Sequence, residues 1–332
     1  MVNLRLRTGV RSGMVVAVAA VGFAALAGRA SAQTPSTLAC GDVVTEDVTL
    51  TSSLTGCSSG LVIGADGVTI DLNGHSIQGT GVDGSVGVEA VGRSDVTVRN
   101  GTVRGFSVGV QFINTLRSVA SGLRLSGTGV GVSIGHATFL LPIDANVVMD
   151  NVVVGPAIGI RANGTGDRVR SNTVIGASGP GVLCRGGGVT LTFRTQIAGN
   201  RVSGSNLGIS QENCGAEVLQ NTVIGNRRDG ILQVDSIGIV VGNTAMLNGG
   251  AGIRSIDSHA RFVQNTTTGN VGDGLFFTDS FPDHGPFFEV TGHRAVANGG
   301  FGVFTPLIGV VDGGGNRAIA NRAGQCLGIS CG

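Results

Sequence analysis

A dipeptide of Gly followed by Ile, Val or Leu recurs along the chain, and its spacing constrains the fold more than any other feature. Six of the ten steps between successive repeat glycines are 22 residues long, and the other four are 26 to 28 residues long. A fixed period of this length is typical of solenoids, in which each repeat stacks only on its neighbours. The repeat glycines are Gly87, Gly109, Gly131, Gly159, Gly181, Gly208, Gly230, Gly252, Gly274, Gly302 and Gly328.

A second marker runs in phase with the glycines. An apolar residue stands three places before an Asn, as in Val148/Asn151 and Val218/Asn221, and a small or apolar residue follows two places after the Asn. Each unit therefore has three short strand-like pieces separated by Gly or Asn, and none is long enough for a helix. A leucine-rich repeat has a similar period but needs leucines where this chain has V-x-x-N-x-V.

Gly and Asn tolerate the left-handed conformation that sharp corners require. An Asn repeated at one corner can also hydrogen-bond to its copies one coil away. These patterns predict an all-β fold: a right-handed parallel β-helix, a solenoid of about eleven 22-residue coils.

The N-terminal segment has the three-part pattern of a secretory signal peptide. Three arginines precede an uncharged run at 14–27, and Ala30-Ser31-Ala32 supplies small residues for cleavage. The run is shorter than the ~20 residues that span a bilayer; a retained membrane anchor is the alternative. We expect removal of residues 1–32, secretion to the periplasm or the extracellular space, and a single β-helix domain over 33–332 with no transmembrane segment.

All six cysteines lie in the predicted mature chain and fall into three local pairs, Cys40/Cys57, Cys184/Cys214 and Cys326/Cys331. An even number of cysteines in an exported chain predicts disulfides, and the absence of C-x-x-C disfavours a zinc site. Residues 40–80 depart from the repeat, so we expect them to form a disulfide-containing N-terminal cap over the first coil. The last pair would clip the opposite end.

The absence of lysine and the net charge of the chain exclude several functions. The sequence has no Lys, which removes Schiff-base and P-loop chemistry. Removal of 1–32 takes away four of the 22 basic residues, which leaves 18 against 21 acidic residues and a net charge of −3. A nucleic-acid partner is therefore not expected. We expect a monomer.

The repeat motifs resemble those of a known superfamily. Coils with G-[IVL], V-x-x-N and G-N, together with the stretches Cys40-Gly-Asp-Val-Val-Thr and Gly60-Leu-Val-Ile-Gly-Ala-Asp-Gly, are similar to the exported bacterial β-helix repeat proteins of the pectin-lyase-like superfamily. The resemblance covers nearly all of 40–332 and implies the fold. It leaves the function open, because that superfamily hosts lyases, hydrolases, epimerases, adhesins and passive scaffolds.

None of the catalytic motifs of that superfamily is complete in this chain. The D-D and G-H-G motifs of polygalacturonase-like hydrolases are missing, and the W-x-D-H motif of pectate-lyase-like enzymes needs a Trp, which the chain lacks. Pro282-Asp283-His284 has the letters of the epimerase D-P-H motif in another order. We therefore expect a non-catalytic envelope or extracellular scaffold or binding protein, with a polysaccharide or a cell-envelope component as its partner.

The alternative is a polysaccharide lyase or a glycoside hydrolase-like enzyme acting on acidic glycans. A lyase would use calcium; otherwise the sequence indicates no cofactor and no metal site.

Three insertions follow G-[IVL] strands, around 135–146, 185–196 and 278–288. Extra residues of a solenoid form loops, so these loops would wall the face formed by the G-[IVL] strands. The predicted outward row of that face is Glu89, Gln111, Ser133, Arg161, Leu183, Ser210, Leu232, Arg254, Phe276 and Phe304.

Two clusters on this face are candidate sites. Arg161, Arg185 and Glu212 would form a binding cluster, and Arg254 would join Asp257 beside the third loop.

The third loop supplies the candidate catalytic residues Asp279, Asp283 and His284, which join Arg254 from the preceding coil, with Phe276 as a binding residue. An Arg could bind an acidic substrate or abstract a proton, and an imidazole titrates near neutral pH. A rigid surface loop whose Asp residues cap turns is the alternative interpretation.

Overall fold

The computed structural model describes residues 34–35, 38–136, 145–163, 166–188, 194–278, 288–306 and 310–332. These residues form thirty-five strands and no helix, and every strand pairing is parallel. No helix in this part of the chain is therefore long and apolar enough to cross a membrane. Chain contacts group Gln33–Gly332 into one compact unit, distinct from Met1–Ala32; cleavage at this boundary stays a prediction.

Each coil contributes one strand to each of three faces, in the order face 1, face 2, face 3. Face 1 consists of β2 (Val43–Val44), β5 (Leu61–Ile63), β8 (Val86–Val91), β10 (Val108–Ile113), β12 (Val130–Gly135), β15 (Ile158–Asn163), β18 (Pro180–Gly188), the first part of β21 (Leu207–Leu219), β23 (Ile231–Val234), β26 (Ile253–Ile256), β29 (Leu275–Thr278), β32 (Phe301–Phe304) and β35 (Gly324–Leu327).

Face 2 consists of β1 (Thr34–Pro35), β3 (Val48–Thr49), β6 (Thr69–Asp71), the first parts of β9 (Thr97–Arg104) and β11 (Val119–Ser126), β13 (Val147–Met149), β16 (Arg168–Arg170), β19 (Thr195–Ala198), the second part of β21, β24 (Ile237–Val241), β27 (His259–Val263), β30 (Phe288–Thr291) and β33 (Val311–Gly314).

Face 3 consists of β4 (Leu54–Cys57), β7 (Ser76–Gly79), the second parts of β9 and β11, β14 (Val152–Val154), β17 (Thr173–Ile175), β20 (Arg201–Ser203), β22 (Thr222–Ile224), β25 (Thr244–Met246), β28 (Thr266–Thr268), β31 (Arg294–Val296) and β34 (Arg317–Ile319).

The register confirms that one repeat makes one coil of a right-handed parallel β-helix. Val110 of β10 lies opposite Val88 of β8 on one side and Val132 of β12 on the other, so each of these two steps along face 1 is 22 residues. The repeat glycine is required because coils approach closely. A Cβ atom on Gly230 would lie only 2.6 Å from the carbonyl oxygen of Gly252 on the next coil.

The spacing of the repeat glycines predicts the first and last coils less well than the coils between them. Leu61 lies opposite Val88, so Gly60-Leu61 is a further copy of the dipeptide, and β2 to β7 within 40–80 continue the three ladders. At the other end, Phe301 and Val303 lie opposite Gly324 and Cys326, which places Gln325, and not Gly328, opposite Gly302. Among the described residues β35 pairs with β32 alone, so a side chain at Gln325 meets no further strand there.

The interior contains apolar columns and two ladders of buried asparagines, as the corner pattern predicts. Nδ2 of Asn221 donates to Oδ1 of Asn243 at 3.0 Å and to the carbonyl of Ile197 at 2.8 Å, while its Oδ1 accepts the N–H of Asn200 at 2.8 Å. The first ladder comprises Asn151, Asn172, Asn200, Asn221, Asn243 and Asn265, and the second comprises Asn226, Asn248, Asn270, Asn298 and Asn321.

The six cysteines form the disulfides Cys40–Cys57, Cys184–Cys214 and Cys326–Cys331, the same pairs that the sequence indicates. The second joins β18 to β21 on successive coils, and both of its cysteines are buried. The three predicted insertions each join a face 1 strand to a face 2 strand, so they share one corner. Most of their residues, 137–144, 189–193 and 279–287, lie outside the described part of the chain.

Candidate functional site

The predicted outward row of face 1 is a continuous line in the structure. Strand register aligns Glu89, Gln111, Ser133, Arg161, Leu183, Ser210, Leu232, Arg254, Phe276 and Phe304 one coil after another. Leu183 and Ser210 are buried in the middle of this row, whereas the side chains on either side of them are partly exposed. The row is therefore open to a ligand on both sides of this buried pair, from Glu89 to Arg161 and from Leu232 onward.

An aromatic surface lies at the C-terminal end of the row. The rings of Phe276 and Phe304 stack almost in parallel, with centroids 5.4 Å apart and planes 3° apart. Cζ of Arg254 lies 4.9 Å from the centroid of Phe276. Parallel pairing of β26, β29 and β32 places these three side chains at successive coils, so a cation and two rings form one strip. We call Arg254, Phe276 and Phe304 the aromatic strip.

Arg254 is held by a carboxylate that the sequence analysis did not select. Its Nε donates to Oδ2 of Asp229 at 3.1 Å, and Oδ1 of Asp229 accepts the N–H of Ala251 at 2.7 Å. Asp257, the partner proposed from sequence, lies after β26 with φ at 47°. The signal that marks Asp229 is its place directly before the repeat Gly230; Asp273 stands before Gly274 in the same way and accepts the N–H of Phe301 at 2.6 Å.

The predicted cluster of Arg185 and Glu212 is an ion pair. Nε of Arg185 donates to Oε2 of Glu212 at 2.8 Å, and Oγ of Ser210 donates to Oε1 of the same carboxylate at 3.2 Å. The pair lines a cleft of about 450 Å³ together with Asp235. Arg161 lies in the row of Leu183, whereas Arg185 lies two residues further along β18, so register separates Arg161 from the pair.

Three of the four candidate catalytic residues, Asp279, Asp283 and His284, lie outside the described residues. Arg254 and Phe276 are described, and they are in contact. The catalytic role of this group therefore stays a prediction. Within the described ranges, no three His, Cys, Asp or Glu residues come together as a metal site would require.

A buried polar cluster that sequence reasoning missed lies where face 1 turns into face 2. Nε2 of His136 lies 3.3 Å from Oδ1 of Asp167, and the same oxygen accepts the N–H of Asn146 at 3.1 Å. Asp167 is fully buried, and its Oδ2 has no partner among the described residues. Because Asp167 is 31 residues from His136 and outside the Val-x-x-Asn pattern, spacing alone gives no sign of this contact.

Comparison with known proteins identifies the architecture. The family described as "Right handed beta helix region" matches residues 38–195 and 143–304. No curated protein sequence matches the chain. A variant of the periplasmic alginate epimerase AlgG is 14% identical over 86% of this chain and 73% of its own, with a TM-score of 0.54.

The Dettilon tailspike protein is 17% identical over 87% of this chain and 62% of its own, with a TM-score of 0.59. At these identities the two structures show the fold alone.

Proposed function

The chain belongs to the right-handed β-helix family, and from that premise we propose that it is an exported protein that binds polysaccharide along face 1 without catalysing a reaction on it. The observation that carries the proposal is the aromatic strip, in which Arg254 covers Phe276 and Phe276 stacks on Phe304. Both faces of Phe276 are covered within the strip, so the partly exposed ring edges offer the apolar contact to a sugar, and guanidinium groups donate hydrogen bonds to the hydroxyl groups around it.

The geometry of a parallel β-helix suits a linear polymer. Coils repeat about every 4.8 Å along face 1, so the row from Leu232 to Phe304 presents successive side chains along one line. A polysaccharide laid along this line would contact several coils at once, and each contact adds to the affinity.

Export is supported by the three disulfides, which form in oxidising compartments. The signal-peptide pattern of 1–32 accounts for delivery to the periplasm or the extracellular space.

Binding without catalysis is favoured by the state of the charged side chains. Arg254 and Arg185 each have a carboxylate partner, Asp229 and Glu212 respectively. A general base must be free to take a proton from the substrate, whereas the Nε atoms of both guanidinium groups are already hydrogen-bonded to these carboxylates.

The decisive experiment measures glycan binding and turnover by the mature chain, 33–332. Affinity electrophoresis on neutral and anionic polysaccharides, with and without calcium, should detect binding, and ultraviolet absorbance should detect no unsaturated uronate product. The double variant Phe276→Ala with Phe304→Ala should weaken binding about thirtyfold, because each of the two aromatic contacts contributes roughly 1 kcal/mol.

Ile175→Ala with Ile319→Ala is the matched control, since it removes exposed apolar side chains from face 3. Equal affinity of the Phe variant and the wild type would contradict the proposal. Calcium-dependent formation of unsaturated product would instead establish the lyase alternative.

A further inference from the structure

A cavity of about 320 Å³ lies beside the aromatic strip, and it is lined by three arginines, Arg227, Arg228 and Arg254. We infer that this arginine pocket binds the oxyanion substituent of a sugar, a carboxylate or a sulfate ester, on the polysaccharide held by face 1. The inference rests on the proposed function and specifies which group of the polysaccharide is recognised.

Arg227 and Arg228 are exposed side chains on a fixed backbone. Their N–H groups donate to the carbonyls of Ser205 and Asn206, both at 2.8 Å, which holds them in the ladder at the turn before face 1. Within the described part of the chain neither guanidinium forms an ion pair. Their donors are therefore available to a ligand.

Arg254 also lines this pocket. Asp229 accepts a hydrogen bond from Nε of Arg254, and Phe276 covers one face of the guanidinium group. The Nη atoms of Arg254 donate to no described residue. A guanidinium held at Nε and stacked on a ring is oriented in advance, which lowers the entropy lost when an oxyanion binds. Asp229 acts here as a positioning residue.

The pocket carries a net positive charge. Three guanidinium groups face one carboxylate, and that carboxylate is already engaged by Ala251 and Arg254. Arginine forks match the planar or tetrahedral oxygens of carboxylate and sulfate groups with paired hydrogen bonds. Neutral sugars offer hydroxyl oxygens but no negative charge, so they form no charge-assisted pair with these donors.

Two glycines keep the pocket open. A Cβ atom on Gly250 would lie 2.3 Å from Oδ1 of Asp229, and a Cβ atom on Gly249 would lie 2.2 Å from the carbonyl oxygen of Arg227. Side chains at these positions would displace the Asp229 carboxylate and the turn that carries the arginines. The ion pair of Asp229 and Arg254 thus requires glycine on the next coil.

The pocket and the aromatic strip are continuous. Arg254 belongs to both, and Leu232, which lines the pocket, precedes Arg254 in the outward row of face 1. A sugar in contact with the exposed edge of Phe276 would therefore place a substituent within reach of the three arginines.

The test compares dextran with dextran sulfate, which share one backbone, and adds polygalacturonate as the carboxylate ligand. Arg227→Gln with Arg228→Gln should lower the affinity for at least one anionic polymer about tenfold or more, because charge-assisted hydrogen bonds are lost, and should leave dextran binding unchanged. Arg201→Gln with Arg294→Gln removes the same charge from exposed positions on face 3 and should have little effect at physiological ionic strength. The two polymers show whether sulfate or carboxylate is the preferred group.

The outcomes separate the two proposals. Binding of all three polymers with no loss in the Arg227/Arg228 variant would overturn the arginine pocket and leave the aromatic strip intact. Absence of any polymer binding would overturn the proposed function. In that case, an upward shift of the melting temperature by glucuronate, relative to glucose, that disappears in the Arg227/Arg228 variant would still support the pocket, and no shift would overturn it.

Discussion

Asp229 and Arg254 lie on successive coils, and Oδ2 of Asp229 accepts a hydrogen bond from Nε of Arg254 at 3.1 Å. The Asp229 side chain is 6% exposed and that of Arg254 is 33% exposed. Because Oδ1 of Asp229 also accepts the N–H of Ala251 at 2.7 Å, one buried carboxylate connects the backbone of the next coil to the cation of face 1. The orientation of the aromatic strip therefore depends on a residue outside the row.

Asp229→Asn should destabilise the protein by about 1–3 kcal/mol, since it breaks a partly buried charge-assisted hydrogen bond. If the amide oxygen keeps the N–H of Ala251, the amide nitrogen faces Nε of Arg254, and two donors repel. The Arg254 guanidinium should then leave Phe276, and binding of anionic glycans should weaken. Chemical denaturation and glycan titration measure the two effects.

Asp273→Asn is the matched control for this change. Asp273 accepts the N–H of Phe301 as Asp229 accepts that of Ala251, but it forms no ion pair with a described residue. Equal loss of stability in the two variants would mean that the contact with Arg254 adds nothing to the backbone cap.

His293→Asn should remove part of the acid sensitivity of the protein. His293 is fully buried where the first asparagine ladder would continue, hydrogen-bonded to Oγ1 of Thr267 at 3.1 Å, and burial lowers its pKa from 6.5 to about 3. The unfolded chain takes up this proton near pH 6.5, whereas the folded chain does so only near pH 3. The stability associated with the neutral ring is complete above pH 6.5 and is lost as the pH falls toward 3, at up to about 1.4 kcal/mol per pH unit.

Denaturation of wild type and His293→Asn across pH 7 to 4 checks this prediction. An asparagine at 293 can accept from the preceding coil through its amide oxygen and does not titrate, so the two stability curves should diverge as the pH falls. Parallel curves over this range would show that His293 does not contribute to the acid response.

Asn243→Ala should lower stability by about 3 kcal/mol or more. The change removes Nδ2 donation to Asn265 and to the carbonyl of Val218, and it leaves the N–H and side chain of Asn221 without their acceptor in the interior. The midpoint of chemical denaturation measures the loss.

Thr244→Ala is the adjacent control, because Thr244 lies on β25 and is only partly buried. A comparable loss in both variants would contradict a specific contribution of the asparagine ladder.

Removal of the central disulfide by Cys184→Ser with Cys214→Ser should cost about 3–4 kcal/mol, as a bridge that closes a loop of this length constrains the unfolded chain. The bridge also lies beside Arg185 and Glu212, so hydrogen exchange should rise along β18 and β21. The Cys326–Cys331 disulfide spans a separation of only five residues at the last coil. Its removal by Cys326→Ser with Cys331→Ser should therefore cost less. The reverse order of the two effects would contradict this account.

The coil architecture was predictable from the sequence because parallel stacking places equivalent positions of the repeat in contact. A contact between residue i and residue i+22 recurs on every regular coil, so it leaves a periodic pattern of glycines, inward apolar residues and corner asparagines. The same reasoning predicted the outward row and the disulfide between Cys184 and Cys214, which are near-equivalent positions on adjacent coils. It failed at Gly328, because the last coil has no neighbour to require a glycine.

Contacts between non-equivalent positions of the repeat were decided only by the tertiary structure. Asp229 reaches Arg254 across 25 residues, and His136 reaches Asp167 across 31 residues. Each contact depends on side-chain rotamers, on the length of the insertions between strands and on which neighbouring residues are glycines. Each combination of these conditions is met at a single place among the described residues, so it leaves no periodic signal. The sequence by itself therefore determined the period, the three faces and the ladders. The arginine pocket and the buried His136–Asp167 contact each arise from the packing of a different pair of neighbouring coils.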